Sequence, residues 1–190
     1  MTEMLRFKKP SKFDQLLILE PLEIEALSDV RHIHRQGFRC ATSFCLTDDE
    51  LGEHDRHIES PSYADALMQA IRGRQLFGAR IDGTLVGTAG WVTADTASPT
   101  ARLRWMYVQP MFSDCGIGRR LLSATELDAM RSGYDAMSVQ SPPGLGDFLQ
   151  HLGYLEASRG TMSLTHQLSV PVSFMRKTLV QTGLSALTRH

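Results

Sequence analysis

The feature that most restricts the fold of this chain is a hairpin signal near its centre. At Gln75 the hydrophobic pattern changes from a helical spacing of three and four residues to a spacing of two. Two alternating segments, 76–81 and 85–92, flank the dipeptide Asp82-Gly83, and an Asp-Gly pair in that position is typical of a two-residue β-turn. The sequence therefore predicts an antiparallel strand pair at the centre of the chain, joined as a hairpin rather than as a β-α-β unit.

Helical patterns precede the hairpin. A short apolar run at 16–19 predicts a first strand, and apolar residues at helical spacing predict a helix over about 22–43. Ser60-Pro61 is typical of an N-cap followed by proline at the first helical position, so a second helix is predicted to begin there. The polar, acidic residues 48–55 are interpreted as a connection between these two helices.

Strands and helices alternate after the hairpin. The predicted elements are a strand over 101–108, a helix over about 116–132, a strand over 136–140, a short helix over 145–152 and a final hairpin from 153 to about 168. This order predicts an α/β (α+β) fold with one mixed, mainly antiparallel sheet flanked by helices.

The predicted domain spans 14–168 and leaves two ends. The basic segment 1–13 is expected to be flexible. The tail 169–190 carries Val172, Met175 and Leu179 at helical spacing, which is consistent with an amphipathic helix that docks on the body or on a second subunit. A frayed terminus is the alternative, and a homodimer is left open.

Composition excludes several classes of function. The 190 residues contain 20 Lys and Arg against 21 Asp and Glu, a formal net charge of −1, whereas a nucleic-acid-binding protein usually carries a basic excess. Three cysteines do not form a disulfide framework, and the His and Cys residues lack the paired spacing of a zinc site, so no metal is expected. No apolar run reaches the roughly 20 residues of a membrane span. A cytoplasmic protein with no membrane or nucleic-acid partner is expected.

The segment 103–122 carries the strongest chemical signal. A predicted strand enters a tight loop, Ser113-Asp114-Cys115-Gly116, which leads directly into a helix beginning Ile117-Gly118-Arg119. The first turn of a helix has unpaired N–H groups and a partial positive charge, and small residues there allow a phosphate to approach. The pattern is neither a Walker loop, since no Gly-Lys-Ser/Thr follows, nor a dinucleotide fingerprint, because Leu121 stands where its third glycine belongs.

The flanking residues make the pattern more specific. Tyr107-Val108-x-Pro110 followed by Gly116-Ile117-Gly118-x-x-Leu121-Leu122 resembles the acyl-CoA-binding motif of the GNAT superfamily of N-acetyltransferases. Downstream, Phe148-Leu149-x-x-Leu152-Gly153-Tyr154 is similar to that family's closing helix and strand. The resemblance covers about 16–168 in the right order.

The resemblance implies a V-shaped splay between the strand ending at Val108 and the strand at 136–140. It implies that pantetheine lies in the splay and that pyrophosphate binds the helix start. The implied cofactor-binding residues are Met106, Tyr107, Val108, Ser113, Asp114, Cys115, Gly116, Ile117, Gly118 and Arg119. Ser113 replaces the family's usual Arg or Gln, and Asp114 replaces a common glycine, so the loop departs from the family pattern.

The catalytic residues are less defined. Many members of the family carry a tyrosine acid where this chain has Leu149, which leaves Tyr154 and Ser141 as candidate acids, and His151 as a further substitute. Glu50 or Glu53 of the acidic segment is weighed as a base against a plain capping role, and no base is assigned.

The implied function is acetyl-CoA-dependent transfer of an acetyl group directly to a primary amine of a small molecule or peptide. Acetyl-CoA is the co-substrate. The alternative is a non-catalytic acyl-CoA-binding sensor or partner protein with the same fold.

Overall fold

Seven strands form one sheet in the order β1-β2-β3-β4-β5-β7-β6 in the computed structural model, which describes residues 16–95 and 98–179. The strands are β1 (Leu17–Pro21), β2 (Leu76–Ile81), β3 (Thr84–Asp95), β4 (Ser98–Val108), β5 (Ala136–Ser141), β6 (Leu155–Ser163) and β7 (Ser169–Thr178). Neighbouring strands are antiparallel except β4 and β5, which are parallel. The prediction of a mixed, mainly antiparallel sheet is confirmed.

The central hairpin has the predicted turn. Ile81 pairs with Thr84 across Asp82 and Gly83, whose φ angles are +49° and +77°. Positive φ at both central residues is the requirement of a type I′ turn, and Gly meets it without a steric penalty.

The helices cover both faces of the sheet. They are α1 (Leu27–Thr42), α2 (Asp48–Glu59), α3 (Pro61–Arg72), α4 (Ile117–Arg131) and α5 (Gly146–His151). On β3, Thr88 bonds to His34 of α1, whereas a Cβ on the preceding Gly87 would touch Leu121 of α4. Since successive strand residues face opposite sides, α1 and α4 lie on opposite faces. No helix of the described ranges has the length and apolar character needed to cross a membrane.

Helix α2 corrects the interpretation of residues 48–55 as a connection. Thr47 caps the helix by accepting a hydrogen bond from the Glu50 N–H group, and the Glu50 carboxylate accepts one from the Thr47 N–H group. This reciprocal capping box satisfies two backbone donors that a helix end otherwise leaves unpaired. The helix buries only Leu51, His54 and Ile58, which is too few apolar residues for a clear periodic signal.

Strand β7 corrects the predicted C-terminal tail. Residues 169–178 form a strand that inserts between β5 and β6, so the prediction of a docking helix after 168 is wrong over this range, and the domain continues beyond 168. Val170 and Val172 pack against Phe38 and Leu51 on the side of α1 and α2, whereas Met175 packs in the cluster around Tyr154. The strand thus joins two core clusters. Residues 180–190 and the predicted flexible segment 1–13 lie outside the described ranges.

Candidate active site

A gap opens between the two parallel strands. β4 and β5 pair only from Thr100 opposite Ala136 to Arg102 opposite Ser138. Beyond that point β4 remains paired with β3, and β5 remains paired with β7. The two strands therefore diverge, and the edges that face each other are no longer hydrogen-bonded. This is the splay that the resemblance implies.

Backbone directions in β4 follow from its pairing with β3. The N–H group of Gln109 donates to the carbonyl of Val86 on β3 at 2.9 Å, and the Tyr107 carbonyl oxygen lies 3.1 Å from where a Cβ on Gly87 of β3 would stand. Because successive residues of a strand turn their N–H and C=O groups to opposite sides, Val108 directs its N–H group away from β3. That N–H group faces the gap.

A β-bulge lies just before this point. Thr88 pairs with Tyr107, but Gly90 pairs with Arg104, so two residues of β4, Trp105 and Met106, stand opposite one residue of β3. Trp105 has φ +53°, a conformation that is costly for a bulky residue. The bulge sets which way the β4 backbone faces from Met106 onward.

The start of α4 forms one end of the gap. Asp114 and Gly116 both have left-handed backbones, with φ +61° and +78°. Arg120 is the first residue whose N–H group donates within the helix, to the Gly116 carbonyl. The N–H groups of residues 117–119 precede that first bond and have no intrahelical acceptor. A helix start of this form favours an anionic ligand.

Gly118 lies between β4 and α5. A Cβ at this position would stand 3.5 Å from both the Met106 Cε atom and the Phe148 Cζ atom, so one methyl group fits and a longer side chain meets both walls. Gly116 has open space around the corresponding position. The helix start is thus accessible from the loop side and narrow on the β4 side.

The other predicted loop residues have distinct environments. Ser113, Asp114 and Arg119 are exposed, whereas the Ile117 side chain is buried in the core beside Leu121 and contributes only its backbone to the surface. Cys115 is half-buried against that same cluster. All of these residues lie at one end of α4, as the sequence pattern requires.

The two candidate acids are buried. Tyr154 is fully buried, and its hydroxyl donates to Glu126 at 2.9 Å, where Lys177 also binds the carboxylate at 2.7 Å. Burial and the adjacent carboxylate raise the pKa of Tyr154 well above its ordinary value. Ser141 is 1% exposed and donates to the Pro142 carbonyl. Both hydroxyls therefore have structural partners.

The remaining candidate acid and base residues are buried or interact with residues of their own helix or its cap. Leu149 is fully buried, and His151 contacts the Asp147 carbonyl within its own helix. Hydrogen bonds from Thr47 lower the pKa of Glu50. Glu53 forms an ion pair with Arg56. The capping interpretation of the acidic segment fits this arrangement.

Three hydrogen-bonded polar residues, of which His34 and Thr88 are fully buried and Tyr63 is half-buried, are not indicated by the sequence pattern. The His34 Nδ1 atom lies 2.8 Å from the Tyr63 hydroxyl, and its Nε2 atom lies 2.9 Å from Thr88 Oγ1. Thr88 Oγ1 donates to the carbonyl of Trp105 at 2.7 Å. Burial, with a contribution from His54, lowers the pKa of His34 to about 3. No local motif marks these residues, because they come from three separate elements.

Metal ligation finds no support among the described residues. Within 16–95 and 98–179, no group of three or more His, Cys, Asp or Glu side chains is arranged to hold an ion. His32 and His34, two positions apart on α1, differ in environment as expected, since His32 is exposed and His34 is buried.

Comparison with solved structures gives the same architecture. PaiA N-acetyltransferase from Thermoplasma acidophilum, in complex with coenzyme A, is 18% identical with a TM-score of 0.69, over 85% of this chain and 98% of that chain. YncA from Salmonella typhimurium, solved with acetyl-CoA, is 15% identical with a TM-score of 0.63, over 88% and 96%. The ribosomal-protein-S18-alanine N-acetyltransferase from Escherichia coli is 16% identical with a TM-score of 0.60, over 89% and 97%. At these identities the likeness shows the fold.

Comparison of sequences identifies the family. A search of curated protein sequences finds no match. The sequence model of the acetyltransferase (GNAT) family, in contrast, matches residues 32–154, which include the gap, the bulge and the start of α4. The chain belongs to the acetyltransferase (GNAT) family.

Proposed function

We propose that this protein transfers an acetyl group from acetyl-CoA directly to a primary amine on a small molecule or peptide. The observation that carries the proposal is the parting of β4 and β5 after Arg102 and Ser138, next to the open N-terminus of α4. A slot lined by backbone N–H groups and ending at a helix start suits an extended ligand with a phosphate at one end.

The start of α4 fits the phosphate end of the ligand. The N–H groups of residues 117–119 bind phosphate oxygens without any cationic side chain, and Gly118 leaves the space that this approach needs. The exposed Arg119 adds charge at the same end. The exposed Asp114 opposes it, so the backbone supplies most of the affinity at this point.

The β4 edge fits the acyl end. Val108 directs its N–H group into the gap, as its pairing with β3 requires, and Met106, two residues earlier on the strand, faces the same side. An N–H group fixed in this way stabilises negative charge that develops on a carbonyl oxygen. Acetyl-CoA supplies the thioester when bound, and the backbone orients it.

The reaction forms a C–N bond to the acceptor and breaks the C–S bond. An alkylammonium acceptor, with a pKa of ~10.4, must lose a proton before it reacts, and the released thiolate must gain one. Tyr154 and Glu50 are engaged with Glu126 and Thr47, so we assign neither proton transfer to them.

The first experiment measures thiol release from acetyl-CoA with pooled amines: polyamines, amino acids, aminoglycosides and peptides. Release that depends on an amine pool supports the proposal. A thermal shift with CoA but no release with any pool replaces it with a non-catalytic acyl-CoA-binding role. No thermal shift at high excess of either ligand rejects both, because a ligand at 100 times its Kd stabilises the native state by about 2.7 kcal/mol.

A pair of glycine variants locates the binding site. Gly118→Glu adds a charged side chain at a position whose Cβ would already stand 3.5 Å from Met106 and Phe148, so we expect the thermal shift with CoA to disappear. Gly52→Glu, a matched control in α2 where only the Arg56 guanidinium lies within 4 Å of a Cβ, is expected to retain it. Normal CoA binding by folded Gly118→Glu protein contradicts the placement at α4.

A further inference from the structure

A continuous chain of hydrogen bonds connects three elements to the β4 bulge. It runs from the Tyr63 hydroxyl on α3 to His34 on α1, then to Thr88 on β3, and ends at the Trp105 carbonyl, with distances of 2.8, 2.9 and 2.7 Å. His34 and Thr88 are both 0% exposed. Polar groups buried this deeply are costly unless every donor and acceptor is paired.

The Trp105 carbonyl at the end of this hydrogen-bond network fixes the direction of its last two bonds. The Trp105 carbonyl can only accept, so the Thr88 hydroxyl donates to it. Thr88 Oγ1 then accepts from the His34 Nε2–H group. Burial lowers the pKa of His34 to about 3, so its Nδ1 atom carries no proton at neutral pH and accepts from the Tyr63 hydroxyl. His34 is thus neutral, with its proton on Nε2.

The hydrogen-bond network ends at a residue of β4 whose backbone conformation is strained. Trp105 holds φ +53° within a strand, a strained conformation that persists only when its surroundings impose it. The bulge at this residue sets the direction of the following N–H groups, including those of Met106 and Val108. Its carbonyl accepts a hydrogen bond from the Thr88 side chain.

Helix α1 also contacts Tyr107, two residues after Trp105 on β4. The Tyr107 ring lies against the His34 imidazole with centroids 4.7 Å apart. One turn further along α1, a Cβ on Gly37 would stand 2.8 Å from Tyr107 Cδ1, so only glycine permits this approach without a shift of the ring. The helix therefore contacts Tyr107 directly and reaches the Trp105 carbonyl through Thr88.

We infer that Thr88 and His34 are positioning residues for acetyl transfer, because they hold the Trp105 carbonyl and so orient the Met106 and Val108 N–H groups toward the gap. The inference rests on the proposed function. It assigns the two residues no contact with either substrate. Their effect falls on the rate of the bound complex and not on binding of the nucleotide end, which takes place at α4.

The test compares Thr88→Val, which keeps the shape and removes the hydroxyl, with Thr88→Ser, which retains the hydroxyl. We expect Thr88→Val to lower kcat at least ~10-fold, since small misplacements in a site cost up to about 100-fold, with the KM for acetyl-CoA changed less than about twofold. Thr88→Ser restores most of the rate. Thr93→Val, a matched control on the same strand whose hydroxyl contacts the exposed Tyr134 hydroxyl, leaves kcat unchanged.

Amide hydrogen exchange of the 103–108 segment supplies a readout that needs no turnover. Exchange there is expected to accelerate in Thr88→Val and not in Thr93→Val. A kcat within twofold of wild type together with unchanged exchange overturns the inference. An inactive wild type instead rejects the proposed function, while the exchange measurement still tests the bulge.

A measurement on the wild-type protein keeps the inference testable if Thr88→Val does not fold. Two-bond ¹H–¹⁵N correlations at pH 6 are expected to show His34 neutral with its proton on Nε2. A neutral ring with its proton on Nδ1 leaves Nε2 without a proton to donate to Thr88 and overturns the inference.

Discussion

Replacement of Tyr154 by phenylalanine separates a structural tyrosine from a catalytic one. The variant keeps the buried ring and removes only the hydroxyl that donates to Glu126. Lys177 continues to hold both oxygens of that carboxylate, at 2.9 and 2.7 Å, so the charge is not left unpaired. We therefore expect a loss near the lower end for a hydrogen bond to a charged group, about 1.5 kcal/mol.

The assays are thermal unfolding and acetyl transfer on the same preparation. For a chain of this size, about 1.5 kcal/mol corresponds to a Tm lower by roughly 3–6 °C. We expect kcat to stay within twofold of wild type, because the hydroxyl is buried and already engaged with Glu126. Tyr134→Phe, which removes a hydroxyl from an exposed pair with Thr93, is the matched control and is expected to cost less than ~0.5 kcal/mol.

A loss of activity without a loss of stability in Tyr154→Phe would refute the structural role of this hydroxyl. Removal of a general acid lowers the rate by about 10²–10⁴-fold. If Tyr154→Phe loses that much activity while its Tm is unchanged, the hydroxyl acts on the reaction, and the Glu126 contact does not describe its role during turnover.

Two further predictions concern stability. Burial lowers the pKa of both His34 and His54 from 6.5 to about 3. As the pH falls below 6.5, the unfolded chain therefore binds protons that the folded chain does not, and we expect urea unfolding to show a loss of stability of about 2 kcal/mol per histidine at pH 5. A free energy of unfolding that is constant from pH 7 to pH 5 contradicts this prediction. Removal of residues 169–190 takes β7 from between β5 and β6; we expect circular dichroism to show a chain without cooperative unfolding, and a cooperative transition like that of the full chain is the contrary result.

Secondary-structure elements could be predicted from the sequence where a few local residues determine the turn or the helix start. The Asp82-Gly83 turn and the Ser60-Pro61 helix start depend on backbone conformations and caps that only a few residue types supply. The predicted strand at 136–140 and helix at 116–132 lie within one residue at each end of the elements observed. These elements combine a strong apolar pattern with a local start or stop signal.

Helix α2 and strand β7 were mispredicted for different physical reasons. His54 fills one of the three buried positions of α2 by stacking on Phe38, and a histidine does not register as apolar in a periodic pattern. In β7, Val172 and Met175 are buried on opposite faces of the sheet, so their spacing of three suits a helix as well as a strand. The open edge of β5, which no local pattern reveals, decides between them.

Some features of the candidate site can likewise be predicted from local sequence, and others depend on the tertiary structure. Gly116 and Gly118 follow from the sequence, because a tight loop entering a helix, with room for a phosphate, requires small residues at those positions whatever surrounds them. The gap between β4 and β5 cannot be predicted from the sequence, because it depends on where the two strands stop pairing. The hydrogen bonds that reach the Trp105 carbonyl at the bulge involve His34 and Thr88, which lie 54 positions apart in sequence. Local steric rules therefore determine the proposed phosphate-binding end from the sequence alone, whereas long-range pairing and burial determine the proposed acyl end only in the folded protein.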